Sequence, residues 1–244
     1  MKNVALIFAG GIGKRMKTSN RPKQFLELNG KPIIIHTIEH FEEHSDIDAI
    51  VVVCIAEWIE FLEKLLKRFN IHKVVKIVPG GATGQESIRN GLYAIRDSLD
   101  VAPSEVVVLI HDGVRPLINE QVITDNIACV KEHGNAITVV PAIETIIETD
   151  ENAEIKTVHD RNNCRLARAP QSFILADILE AHRKSIEDGK EDMIDSAMLM
   201  QHYGAVLHTV VGPTENIKIT SPTDYYIFRA LVEARENAQF GGEL

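Results

Sequence analysis

Five short runs of Val, Ile, Leu and Ala recur along the chain, at residues 3–9, 49–54, 74–78, 106–110 and 136–140, each bounded by turn or polar residues. They are rich in apolar residues, interrupted only by Asn3, Lys76 and Thr138, and do not alternate, as expected of strands buried on both faces of a parallel sheet. The segments between them have helical spacing. Trp58, Phe61, Leu62, Leu65, Leu66 and Phe69 form one apolar stripe with charges opposite, and the aromatic residues in it read as core. Pro32 suits the first turn of a helix whose stripe is Ile34, Ile38 and Phe41, after a turn at Asn29-Gly30. Asn119, Ser87 and Ser221-Pro222 mark three further capped helix starts. Alternation of strand and helix predicts right-handed crossovers and a doubly wound, mainly parallel α/β sheet with helices on both faces, in one domain spanning 1–244.

The rhythm breaks at about 142–169. Residues 145–149 and 154–158 alternate across an Asp150-Glu151-Asn152 turn, which predicts a protruding β-arm. Two short strands are marginal alone, so the arm is expected to pack on a second subunit as a homodimer. The C-terminal stretch 239–244 is expected to fray.

Charge narrows the partners. Lys and Arg number 26 against 35 Asp and Glu, a net −9, which speaks against broad attachment to nucleic acid or an anionic membrane. The odd, scattered Cys54, Cys129 and Cys164 encode neither a disulfide framework nor a Cys-x-x-Cys site, and they fit a reducing cytoplasm. The apolar run at 4–9 is too short for a membrane span or a signal-peptide core.

The loop Ala9-Gly10-Gly11-Ile12-Gly13-Lys14-Arg15-Met16 follows the first strand, and ligands of open α/β sheets bind beyond the carboxyl ends of strands. Its glycines let backbone N–H groups approach phosphate, while Lys14, Arg15 and Lys23 supply cations. A dinucleotide fingerprint fails because Met16 occupies the place of its third glycine and the acidic partner is missing, which removes a dehydrogenase reading. A Walker loop fails because Phe8 and Arg15 stand where its first glycine and its Ser or Thr belong.

Taken with Pro22-Lys23-Gln24, Gly80-Gly81 leading to Ser87, residues 111–116 (His-Asp-Gly-Val-Arg-Pro) and residues 216–220 (Asn-Ile-Lys-Ile-Thr), the loop resembles the 2-C-methyl-D-erythritol 4-phosphate and ribitol 5-phosphate cytidylyltransferases. Asp160-Arg161-Asn162 and Pro170-Gln171 add to the likeness, which runs nearly end to end. The resemblance implies a Rossmann-like nucleotidyltransferase that moves CMP from CTP to an alcohol phosphate with Mg²⁺. A phosphate monoester has a second pKa of about 6, so the nucleophile is already anionic and the demand is for positive charge and alignment.

By position the resemblance assigns Arg15 and Lys23 to transition-state stabilisation, and Lys218 to the attacking phosphate. Ala9, Gly10, Gly11, Gly13, Gly80, Gly81 and Ser87 are assigned to the nucleotide, and Asp112 to the ribose and the metal. Thr145 and Arg161 would reach the acceptor from a partner subunit, and Arg161 counts among the catalytic set. Arg115 would either contact the acceptor or fix its own loop, and His111 would be a packed histidine. Ser87 is open to both a cytosine contact and a helix cap.

The departures lie on the acceptor side: Ala169 where the methylerythritol enzymes have threonine, Ile143 where they have arginine, and Gly84 where arginine is common. With Pro22-Lys23-Gln24-Phe25-Leu26 and Glu144-Thr145-Ile146, they lean towards ribitol 5-phosphate, with methylerythritol phosphate as the alternative. A nucleotide-binding protein without turnover is a remoter reading, disfavoured by the presence of Arg15, Lys23 and Lys218.

Overall fold

The computed structural model describes residues 1–11 and 21–237. Gly13, Lys14, Arg15 and Met16, and the stretch 239–244, lie outside the described residues. In chain order the strands are β1 (Lys2–Ala9), β2 (Glu27–Leu28), β3 (Lys31–Pro32), β4 (Ala49–Cys54), β5 (Val74–Pro79), β6 (Val106–Asp112), β7 (Asn135–Pro141), β8 (Ile147–Thr149), β9 (Ile155–Val158), β10 (Arg165–Ile174) and β11 (Thr209–Val211). The α-helices are α1 (Ile33–Glu43), α2 (Ile59–Arg68), α3 (Gly84–Ser98), α4 (Glu120–His133), α5 (Leu175–Glu187), α6 (Ser196–His202) and α7 (Pro222–Asn237).

Among the described residues the main sheet has seven strands in the order β11-β7-β10-β6-β1-β4-β5. The run at 74–78 forms the edge strand β5, with Val75 51% exposed, whereas β1 shows why its own apolar run had to be central. Its Ala5 and Ile7 point into a core with α1, α2 and α4, whereas Val4 and Leu6 point into a second core with α3, α5 and α6. A strand buried on both faces cannot alternate in polarity. β1 pairs in parallel with β4 and β6, and β4 with β5.

The sheet is mixed at one place. β10 runs antiparallel between β6 and β7, and its ladder shifts register between Ala167 and Gln171. The expected arm is therefore shorter than 142–169: β8 and β9 pair as a small exposed hairpin, and the chain re-enters the main sheet at Arg165. Arg165, Arg168 and Pro170 hide this strand in the sequence, because a proline suits only an edge or an irregular ladder position.

Two local readings need correction. The cap of α3 is Thr83, whose hydroxyl oxygen accepts from Glu86 N at 3.0 Å, so Ser87 lies one turn inside the helix. Pro32 is the residue before α1 and not part of its first turn. The Asn29-Gly30 turn does join β2 and β3, with both residues at positive φ (53° and 76°), as a two-residue hairpin requires. Asn119 caps α4 by accepting from Val122 N at 3.0 Å.

One buried group bears on acid stability. His182 on α5 is 1% exposed, and among the described residues neither ring nitrogen has a hydrogen-bond partner. Burial, and then the charge of Arg89, lowers its pKa to about 4, and burial lowers that of His111 to about 3. The native state thus binds fewer protons than the unfolded chain below the ordinary histidine value of 6.5. This stability is fully present above pH 6.5 and is lost as pH falls through about 4. Thermal unfolding should show the melting temperature dropping across that window. His182→Leu should flatten the profile, because it removes a buried group that must charge.

Candidate active site

The carboxyl ends of β1, β4, β5 and β6 converge on one edge of the sheet. Gly10 after β1 and Gly80 after β5 touch backbone to backbone: a Cβ on Gly80 would lie 3.1 Å from Gly10 Cα and 3.2 Å from Ser87 Oγ. Only glycine at both positions lets the two chain segments approach this closely. Gly80 N donates to Cys54 O at 2.9 Å. Ser87 Oγ accepts from Gly81 N at 3.0 Å and donates to Thr83 O at 2.8 Å, so in this structure it holds the Gly80-Gly81 turn. Ala9, Gly10, Gly11, Gly80, Gly81 and Ser87 therefore form one glycine-rich cradle.

Lys23 reaches the cradle through its neighbour. Gln24 is 1% exposed, and its Nε2 donates to Ala9 O at 2.6 Å and to Gly11 O at 3.3 Å. The single-turn 3₁₀ segment Lys23–Phe25 is anchored by Phe25, which stacks on Trp58 at 4.8 Å and meets Phe61 edge-on at 5.5 Å. The aromatic stripe is core, as read from the sequence, and part of its purpose is to fix the segment that carries Lys23.

Beside the cradle lies a charged centre. Asp112, 6% exposed at the end of β6, receives Lys218 Nζ on one carboxylate oxygen at 2.5 Å and Arg115 Nε on the other at 2.7 Å. Burial alone would raise the carboxyl pKa, but the charges and hydrogen bonds of Lys218 and Arg115 outweigh it and hold the group at about 2. Arg115 Nη1 also donates to Asn216 O at 2.9 Å, and Asn216 Nδ2 donates to Ala169 O at 2.6 Å. Arg115 thus fixes its loop to the irregular segment that presents Lys218. Ile219 N completes that link by donating to Val114 O at 2.9 Å.

His111 is fully buried and neutral. Its Nε2 must carry the proton, since its partner at 3.1 Å is the Arg115 carbonyl. It packs beneath the loop, as expected. Cradle and charged centre are adjacent: Gly113 N donates to Phe8 O at 3.0 Å, and Lys218 Nζ sits 5.9 Å from the Phe8 ring centroid.

Thr145 and Arg161 stand apart from this group. Both are exposed in the arm, and Arg161 Nη1 donates to Ile143 O at 3.0 Å. Among the described residues neither bonds to Asp112, Arg115 or Lys218. Gln24 and Asn216 are positioning residues that went unread in the sequence, although both lie within the quoted motifs. A buried amide bonding to carbonyls far along the chain leaves no local pattern.

The model of the 2-C-methyl-D-erythritol 4-phosphate cytidylyltransferase family matches residues 3–234. A ribitol-5-phosphate cytidylyltransferase of Vibrio parahaemolyticus is 56% identical over 98% of this chain and 100% of its own length. One of Streptococcus agalactiae serotype V is 52% identical over 99% and 100%. Among solved structures, a 2-C-methyl-D-erythritol 4-phosphate cytidylyltransferase of Francisella tularensis superposes with a TM-score of 0.76 at 27% identity, covering 94% of this chain and all of that one. The fold is also that of an Anaerococcus prevotii 4-diphosphocytidyl-2C-methyl-D-erythritol synthase, with a TM-score of 0.81 at 22% identity over 95% and 96% of the two chains. The match of the family model to residues 3–234, with relatives 52% and 56% identical over nearly the whole length, places the chain in the 2-C-methyl-D-erythritol 4-phosphate cytidylyltransferase family.

Proposed function

We propose that the chain transfers CMP from CTP to ribitol 5-phosphate, forming CDP-ribitol and releasing pyrophosphate. The observation that carries the chemistry is the juxtaposition of the Gly10–Gly80 cradle with an Asp112 centre in which two cations face one carboxylate. Such a centre has charge to spare for an anion. The acceptor rests on the names of the relatives at 52% and 56% identity, which match over nearly their full length.

In the reaction a phosphate oxygen of ribitol 5-phosphate forms a bond to the α-phosphorus of CTP. The bond from that phosphorus to the bridging oxygen breaks, and pyrophosphate leaves with the electron pair. No protein base is required. The backbone N–H groups of the cradle hold the triphosphate, Lys23 and Arg15 offset charge at the α-phosphorus, and Lys218 draws the attacking phosphate towards it. In this proposal Lys218 exchanges Asp112 for that phosphate, which its 39% exposed side chain leaves it free to do.

Asp112, ionised at any working pH, fits a Mg²⁺ ion held jointly with the triphosphate. No group of three or more His, Cys, Asp and Glu that could hold a metal occurs among the described residues, so phosphate and water would supply most ligands. When bound, the ion would neutralise triphosphate charge.

Residues 1–244 act in this reading as one catalytic unit with an arm. Ile143, Ile147, Ile155 and Val158 are exposed on that arm, and we assign them to a homodimer contact that brings Thr145 and Arg161 to the partner's acceptor. CTP as substrate and the three free cysteines support a cytoplasmic setting without nucleic acid or membrane. No helix among the described residues is long and apolar enough to cross a membrane. Pyrophosphate release from CTP should be rapid with ribitol 5-phosphate and at least tenfold slower, as kcat/KM, with 2-C-methyl-D-erythritol 4-phosphate. The reverse order would transfer the activity to methylerythritol phosphate, and release with neither would refute the proposal.

A further inference from the structure

Arg168 is a cation that the site as described does not use. It lies in the stretch of β10 between Ala167 and Gln171 where the ladder to β7 shifts register, and pairing with β6 begins only at Gln171 opposite Ile110. Continuing that antiparallel register brings the irregular stretch alongside the Asp112 end of β6. The next residue, Ala169, is tied to the charged centre through its carbonyl, which accepts from Asn216.

The guanidinium makes no hydrogen bond or ion pair among the described residues, and its Nε is shielded from solvent without a partner there. Half-buried five-donor groups rarely stay unsatisfied, because a buried donor without a partner keeps its full desolvation cost. Burial, and then the nearby charge of Arg115, lowers its pKa. Arg115 and Lys218 already share the Asp112 carboxylate, and Arg168 adds a further positive charge within electrostatic reach of Arg115.

Strand order says which anion. The glycine cradle lies on the β1, β4 and β5 side of β6, whereas β10 flanks β6 on the other side. β10 is also the strand into which the arm returns. We propose that the Arg168 guanidinium binds the phosphate of the acceptor, holding it on the β10 flank of Asp112, opposite the nucleotide. The inference rests on the two-anion reaction proposed above and adds the residue that receives the second anion. A planar fork matches a terminal phosphate in two-point contact, so lysine at this position would recover only part of the interaction.

The test is calorimetric titration of ribitol 5-phosphate into the full chain saturated with α,β-methylene-CTP, which cannot release pyrophosphate. Arg168→Ala should weaken ribitol 5-phosphate by roughly 10- to 100-fold while leaving the affinity for the CTP analogue within about twofold. Arg168→Lys should fall between. Arg168→Gln, which preserves side-chain length, carries the same expectation as alanine should that variant loosen the bulge. Unchanged acceptor affinity in these variants, a loss that falls on the CTP analogue, or no acceptor binding by the wild-type chain would overturn the assignment. Wild-type binding with no pyrophosphate release from CTP itself would instead sink the proposed activity and leave Arg168 as the phosphate site.

Discussion

Lys218→Ala should lower kcat/KM for CMP transfer by roughly 10²- to 10³-fold, the scale seen when one charge-stabilising donor is removed from a transition state. Stability should hardly change. The Lys218 side chain is 39% exposed, so its ion pair with Asp112 is screened and contributes about 1 kcal/mol at most. Asp112 also keeps Arg115 at 2.7 Å when the lysine is gone.

Removing the carboxylate reverses this balance. Asp112→Ala leaves Arg115 buried, 8% exposed, without its charge partner, and breaking a buried pair costs about 3–5 kcal/mol. Asp112→Ala should therefore lose melting temperature as well as rate, whereas Lys218→Ala should lose rate alone. Steady-state kinetics and thermal unfolding on the same two preparations check the contrast. A Lys218→Ala enzyme with near-wild-type turnover would remove Lys218 from the chemistry.

Gly80→Val should cut CTP affinity by roughly 10- to 100-fold, the equivalent of a steric cost of about 1–3 kcal/mol at the cradle. The first atom of the new side chain would already stand 3.1 Å from Gly10 Cα, a backbone atom that cannot swing aside, and 3.2 Å from Ser87 Oγ. Relief requires the two nucleotide-side loops to separate and the Gly81 N to Ser87 Oγ hydrogen bond to break. Gly84→Ala is the control. A Cβ there meets nothing within 4 Å, and alanine in the first turn of α3 should leave CTP binding unchanged and raise stability by up to about 1 kcal/mol. CTP titration and melting curves on both variants read the difference.

The parallel part of the sheet was legible because burial on both faces removes polarity from a strand altogether, as in β1, β4 and β6. The β2–β3 hairpin was legible because Asn-Gly is a local conformational signal. β10 was not. Its first half faces away from the core and carries Arg165 and Arg168, and only Ala169–Phe173 are buried, with a proline among them. Its place between β6 and β7 is decided by tertiary pairing that no local pattern announces. Thr83 was missed because Gly84, Gln85 and Glu86 separate it from the apolar stripe that Ser87 directly precedes, although a hydroxyl followed three residues later by glutamate is the stronger capping pattern.

In the site, the glycines and cations were legible as types at fixed places. Their assembly was not. That Gly10 touches Gly80, that Gln24 ties Lys23 to the cradle, and that Lys218 and Arg115 share the two oxygens of Asp112 all depend on contacts between distant segments. The arm residues Thr145 and Arg161 stay separate from this centre within one chain, which follows if a second chain completes the acceptor site.

The central claim is transfer of the α-phosphoryl group with its nucleoside, and its most direct test follows the phosphorus. With CTP labelled at the α-phosphorus and ribitol 5-phosphate as acceptor, all transferred label should appear in a CDP-alcohol and the pyrophosphate should be unlabelled. Label left in CDP, as in γ-phosphoryl transfer, or released as CMP without acceptor, would contradict it.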